Sequence, residues 1–142
     1  MTIGIANDHH GIELKQRIKK YLTNNNIKFI NYGCDEKNNV DYIDYAKRLS
    51  YAVVNGSVDL GILICGTGIG MSIAANKIDG IRAAKVNTPR EAQLAKEHNM
   101  ANIMTLAEYT ENLEEILDAF INTENSKEER HLRRVEKIKE LE

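Results

Sequence analysis

Gly61-Ile-Leu-Ile-Cys-Gly-Thr-Gly-Ile-Gly70 is the stretch of this 142-residue chain that decides its fold. With Leu60 before it, the first half is an unbroken apolar run of strand length, as expected of a strand covered on both faces. The second half alternates glycine with Thr67 and Ile69, the composition of a tight turn opening a helix. Cys65 therefore stands where a strand hands the chain to a helix start, a position at which anions bind and thiolates form.

Outward from that run, short apolar segments alternate with stretches of helical period. Strands are predicted at Thr2 to Ala6, Lys28 to Tyr32, Leu60 to Cys65, Ile81 to Val86 and Asn102 to Leu106, the rhythm of repeated βα units. The first intervening helix carries Leu14, Ile18, Tyr21 and Leu22 on one stripe, with Lys15, Lys19 and Lys20 expected to turn outward. Similar stripes follow Asp41, Thr88 and Glu111, and the lone proline, Pro89, sits where a helix begins. The expected architecture is a flavodoxin-like, Rossmann-like α/β three-layer sandwich with a five-stranded parallel sheet and an extra C-terminal helix. No linker or internal repeat divides residues 1–142, so one domain is expected.

Composition narrows the partners. A hydrophobic content of 42% suffices for a core, and a formal net charge of -2 argues against a nucleic-acid-binding surface. No basic leader precedes the first strand and no apolar run approaches a membrane span, so no membrane association is expected and the cytoplasm is the expected compartment. Cys34 and Cys65 are read as thiols, because a domain with this core gains little from a disulfide.

In doubly wound sheets ligands bind beyond the carboxyl ends of the strands, where the winding reverses. The first strand runs into Asn7-Asp8-His9-His10-Gly11 and the third into Cys65-Gly66-Thr67-Gly68-Ile69-Gly70, so both groups should share one crevice. The third glycine falls at 70 rather than 71 and no acidic residue ends the next strand, which argues against dinucleotide binding; no Gly-Lys-Ser/Thr follows for a P-loop. Backbone N–H groups of this turn suit a developing oxyanion, and Cys65 suits removal of a carbon-bound proton. His9 and His10 are adjacent and lack metal-ligand spacing, so no metal is expected. His98 lies at a predicted helix end before the fifth strand. The stretch Asn125 to Glu142 keeps Leu132, Val135, Ile138 and Leu141 on a three-residue beat, as a helix lying on another surface would. Its Arg130 and Arg134 stand four apart on one face, where like charges repel unless an anion sits between them.

The combination Asp8-His9-x-Gly11, Asp41-Tyr42, Cys65-Gly-Thr-Gly-Ile-Gly70, His98-Asn99-x-x-Asn102 and Arg130-His-x-x-Arg134-Val resembles the type B ribose-5-phosphate isomerases. That resemblance implies an intramolecular oxidoreductase, an aldose-ketose isomerase. It would convert ribose 5-phosphate to ribulose 5-phosphate through a cis-enediol(ate), in the non-oxidative pentose phosphate pathway and without a cofactor. It implies that Cys65 moves the proton between C1 and C2, that Thr67 assists, and that Gly66, Gly68 and Gly70 hold the enediolate oxygen. His98 would open the furanose ring with Asp8 taking a hydroxyl proton. Tyr42 and Asn99 would meet sugar hydroxyls, and His9, Arg130 and Arg134 the phosphate. A homodimer or tetramer with shared sites is implied, residues 125–142 packing on the partner subunit.

Four departures stand beside the resemblance, that at Asn7 the least. Ile43 replaces the family's usual proline after Asp41-Tyr42, Ala107-Glu108-Tyr109 replaces a Gly-x-Arg that adds an arginine to the phosphate site, and the following segment is about three residues shorter than in the family. Asn7 replaces a small residue or cysteine. Two alternatives therefore stay open: isomerisation of a hexose 6-phosphate such as allose or galactose 6-phosphate, and a non-catalytic sugar-phosphate or nucleotide-binding module.

Overall fold

The alternation of apolar runs and amphipathic stretches resolves, in a computed structural model describing residues 1–142, into a parallel five-stranded sheet between helices. In chain order the elements are β1 (Thr2–Asn7), α1 (Ile12–Asn24), β2 (Lys28–Asn31), α2 (Tyr42–Val54), β3 (Leu60–Cys65), α3 (Ile69–Ala75), β4 (Ala83–Lys85), α4 (Pro89–Asn99), β5 (Ile103–Ala107), α5 (Leu113–Asn122) and α6 (Glu129–Lys139). Thr88 caps α4 through its side chain, accepting from the Glu91 N–H at 3.1 Å, with Pro89 at the first helical position.

Each sheet face has its own apolar cluster. Ile3, Ile5, Ile62, Ile64, Met104 and Leu106 meet α1, α4 and α5 on one side. Ala6, Leu63, Cys65 and Ile103 meet α2 and α3 on the other. Alternation along β3 thus sends Ile64 to one layer and Cys65 to the opposite one. No helix is long and apolar enough to cross a membrane.

The three-layer, all-parallel architecture expected from the sequence is what forms, with one refinement in strand order. The sheet runs β2-β1-β3-β5-β4, whereas the flavodoxin order would place the fourth strand beside the third. Burial explains the exchange: all of β5 is buried, while β4 is three half-buried residues suited to an edge. Predicted Ile81 and Val86 flank this short strand rather than joining it. The consequence is functional, because Cys65 pairs in register with Ala107 and the loop after β5 lies beside the glycine turn.

Lys15 corrects the sequence reading outright. Instead of turning outward it is fully buried on α1, its Nζ 2.6 Å from the Cys34 carbonyl oxygen and 2.6 Å from Asp35 Oδ1. Three acceptors, with Asn31 Oδ1 at 3.4 Å, offset the cost of burying the ammonium.

Candidate active site

At the carboxyl edge of the sheet, β1 and β3 lie side by side and deliver Asp8 and Cys65 together. The Asp8 N–H donates to the Ile64 carbonyl at 3.1 Å, and Asp8 Oδ1 accepts from the His10 N–H at 2.9 Å, capping a short turn over His9–Gly11. A Cβ on Gly11 would stand 2.8 Å from the Ile64 side chain, so glycine permits this turn to lie against β3.

Cys65 is buried, and its Sγ accepts from the Gly68 N–H at 3.1 Å. Gly68 has φ +76°, a conformation natural to glycine, and a Cβ there would press on the Leu106 carbonyl carbon at 2.9 Å. The turn is also tied from behind, since Thr105 Oγ1 donates to the Gly68 carbonyl at 2.9 Å. Thr67 is exposed, its hydroxyl oxygen accepting from the Ile69 N–H at 3.2 Å. Tyr42 lies over Gly70 so closely that a Cβ would meet its ring at 2.5 Å.

Two further residues meet at this edge, outside the roles that the family resemblance assigns. His10 packs over Gly66, where a Cβ would lie 3.8 Å from the imidazole, and His10 Nδ1 stands 3.4 Å from Glu108 Oε2. The Glu108 N–H donates to the carbonyls of Cys65 at 3.0 Å and Gly66 at 3.3 Å. The β3–β5 pairing brings Glu108 here, and no sequence motif signals that pairing. His9 Nδ1 accepts from the Val40 N–H at 3.3 Å, tying the turn to the loop that leads into Tyr42.

His98, Asn99, Arg130 and Arg134 do not join them. His98 and Asn99 end α4, just before β5 begins at Ile103, whereas Cys65 is level with Ala107 at the strand's far end. About 13 Å of strand separates these levels. Asn99 lines a groove of about 550 Å³ with Arg82, Ile138 and Leu141 among its other walls. His98 instead stacks on His131 of α6, ring centres 4.1 Å apart and planes 12° from parallel. Arg130 Nε is 2.8 Å from Glu128 Oε2, and this hydrogen bond holds the Glu128 carboxyl below its ordinary pKa. Burial lowers the His131 pKa, and His98, Arg130 and Arg134 push the same way against Glu128. Both cysteines are free thiols, and no three His, Cys, Asp or Glu side chains gather as metal ligands.

The likeness to known proteins extends over the entire arrangement. The family model described as Ribose/Galactose Isomerase matches residues 3–138. The chain belongs to this family. Ribose-5-phosphate isomerase B of Escherichia coli is 40% identical over 143 residues, covering 99% of this chain and 95% of its relative. The solved ribose-5-phosphate isomerase B of Clostridium thermocellum superposes with a TM-score of 0.94 at 42% identity, covering 99% and 97% of the two chains. The Mycoplasma genitalium ribose-5-phosphate isomerase B, solved with bound ribulose-5-phosphate, superposes with a TM-score of 0.91 at 37% identity, covering 99% and 95%.

Proposed function

We propose that this protein interconverts ribose 5-phosphate and ribulose 5-phosphate through a cis-enediol(ate). The observation that carries this reading is the Cys65 sulfur, held by the Gly68 N–H at the mouth of a glycine turn beside Asp8, in a chain of this isomerase family. In the ring-opening step His98 gives a proton to the ring oxygen as the C1–O bond breaks, and Asp8 takes the C1 hydroxyl proton, leaving the aldehyde. Cys65 as thiolate then removes the C2 proton. The resulting O1 anion is held by amides of the Gly66–Gly70 turn, a fixed electrostatic site that needs no reorganisation. Return of the proton to C1 and passage of the O2 proton to O1 through Thr67 give the ketose.

Tyr42 and Asn99 meet sugar hydroxyls, and His9, Arg130 and Arg134 hold the phosphate. Since one chain places these residues at two ends of its sheet, a second copy supplies His98, Asn99, Arg130 and Arg134 to each Cys65. Support comes from the apolar side chains left exposed on α2 and α3, Ile43, Tyr51, Val54, Ile69 and Ile73, and from Leu132, Ile138 and Leu141 on or beside α6. Residues 125–142 then pack on the partner as well as on their own α4, and residues 1–142 act as one domain.

Aldose-ketose exchange across a panel of pentose 5-phosphates and hexose 6-phosphates tests the reading. Ribose 5-phosphate is expected to show the highest kcat/KM. A higher value for allose or galactose 6-phosphate would overturn the substrate, and ligand binding with no turnover of any sugar would overturn catalysis.

A further inference from the structure

The proposed chemistry leaves one buried imidazole without a task. His131 makes no hydrogen bond through its buried Nε2, and the nearest carboxylate oxygen, Glu128 Oε2, is 3.9 Å away. Buried polar atoms in folded proteins are nearly always paired, so an unpaired imidazole is a poor choice for stability alone. What it does present is a ring face, against which His98 lies nearly parallel.

We propose that His131 is a positioning residue for His98, a flat platform that fixes the plane of the His98 ring and leaves His98 the proton carrier of the pair. Position separates the two rings. His98 is half-buried in the last turn of α4, whereas the buried His131 stands in the first turn of α6, where the positive end of the helix dipole disfavours a cation. The charged groups facing His131 are Glu128, Arg130 and Arg134 around α6 and His98 from α4, so the cations outnumber the carboxylate. The platform is itself anchored: Val135 is buried one turn on, and the Ser126 N–H donates to the Glu97 carbonyl at 2.9 Å, pinning the approach to α6 on the end of α4.

This inference rests on His98 opening the sugar ring. Its test compares His131→Leu with His131→Phe in the assembled enzyme. Both fill the space under α6 and keep that helix docked, but only phenylalanine offers a flat face. The readouts are kcat and the primary isotope effect with ribose 5-phosphate deuterated at C2, with His98→Ala as the reference. A misplaced catalytic group can cost about 10²-fold, so His131→Leu should lower kcat to that extent. Its isotope effect should collapse toward unity as ring opening overtakes proton removal, matching His98→Ala. His131→Phe should retain most of both. Leu and Phe variants behaving alike, or a slow Leu variant with its isotope effect intact, would show that His131 merely holds α6 and overturn the proposal. An intact isotope effect in His98→Ala would instead overturn the ring-opening reading, and the platform with it.

Discussion

The two ends of the sheet build their functional groups in different ways. At the carboxyl edge the positions of Asp8, Cys65 and Gly68 are set by backbone: strand register, a turn of positive φ, and contacts too close for a Cβ. At the opposite end His98, Asn99, Arg130 and Arg134 project from helix termini, and α6 reaches its own chain mainly through His131 and Val135. The first end is rigid and nearly complete within one chain. The second relies on helix docking beside exposed apolar surface, which is where the proposed second copy would have to act. A centre for proton transfer gains from such rigidity, because preorganised groups need no rearrangement as charge develops.

The sharpest test of the rigid end is the sulfur. Cys65→Ala should reduce isomerisation by about two to four orders of magnitude, the usual contribution of a positioned acid or base, while the fold persists. Cys34→Ala, changing a thiol that donates only to the Glu36 carbonyl, should be nearly silent in activity. Comparable turnover by both variants, measured under saturating substrate, would remove the proton-transfer role from Cys65.

The division between ends is tested by mixing inactive subunits. Equal amounts of Cys65→Ala and His98→Ala, re-equilibrated at random as symmetric dimers, give about half mixed dimers, each with one doubly altered and one intact site. About a quarter of all sites should regain activity. Exchange is verified with a mass-tagged subunit. Verified exchange without recovery would place both residues in a site made by one chain, contrary to the separation along β5.

Tyr109 sharpens the comparison at the carboxyl edge. It is exposed on the loop after β5, next to the Glu108 that pairs with His10. Tyr109→Arg should lower the Michaelis constant for ribose 5-phosphate, since a charge-assisted hydrogen bond to phosphate contributes roughly 1.5 to 3 kcal/mol. An unchanged or raised constant would show that this loop presents its side chains away from the phosphate.

The rigid end was the more legible in sequence. An apolar run feeding Gly66, Gly68 and Gly70 announces a buried strand and a tight turn through local chemistry, and the Asp8 turn follows from the same logic. Strand order was not legible: the exchange of β4 and β5 depends on which strand is buried on both faces, a tertiary property. The contact between Glu108 and His10 was not legible for the same reason, since it is a product of the β3–β5 register. Helical spacing displayed Arg130 and Arg134 but not that Arg130 would hold Glu128. His131 stood between them in the sequence, and its stacking on His98 required knowing that α6 docks on α4.

Lys15 was misread because helical periodicity sorts side chains by polarity and cannot see acceptors arriving from β2 and its loop. It supplies the smallest of the expected effects. The hydrogen bonds from Lys15 and Asn31 hold the Asp35 carboxyl below its ordinary pKa. A depressed carboxylate adds stability that is fully present above the unfolded value of about 3.9 and is lost as pH falls through the folded one. Lys15→Met keeps most of the volume but strips the Cys34 carbonyl of one donor and Asp35 of its cation. It should cost about 1 to 3 kcal/mol near neutral pH, the range for leaving a buried polar partner unsatisfied, with Asp35's solvent exposure favouring the lower part. The gap between Lys15→Met and the parent protein in urea unfolding should narrow below about pH 4, where Asp35 becomes protonated in both. A gap that stays constant through that range would assign the stability to Lys15 packing and its bond to Cys34, and not to the ion pair.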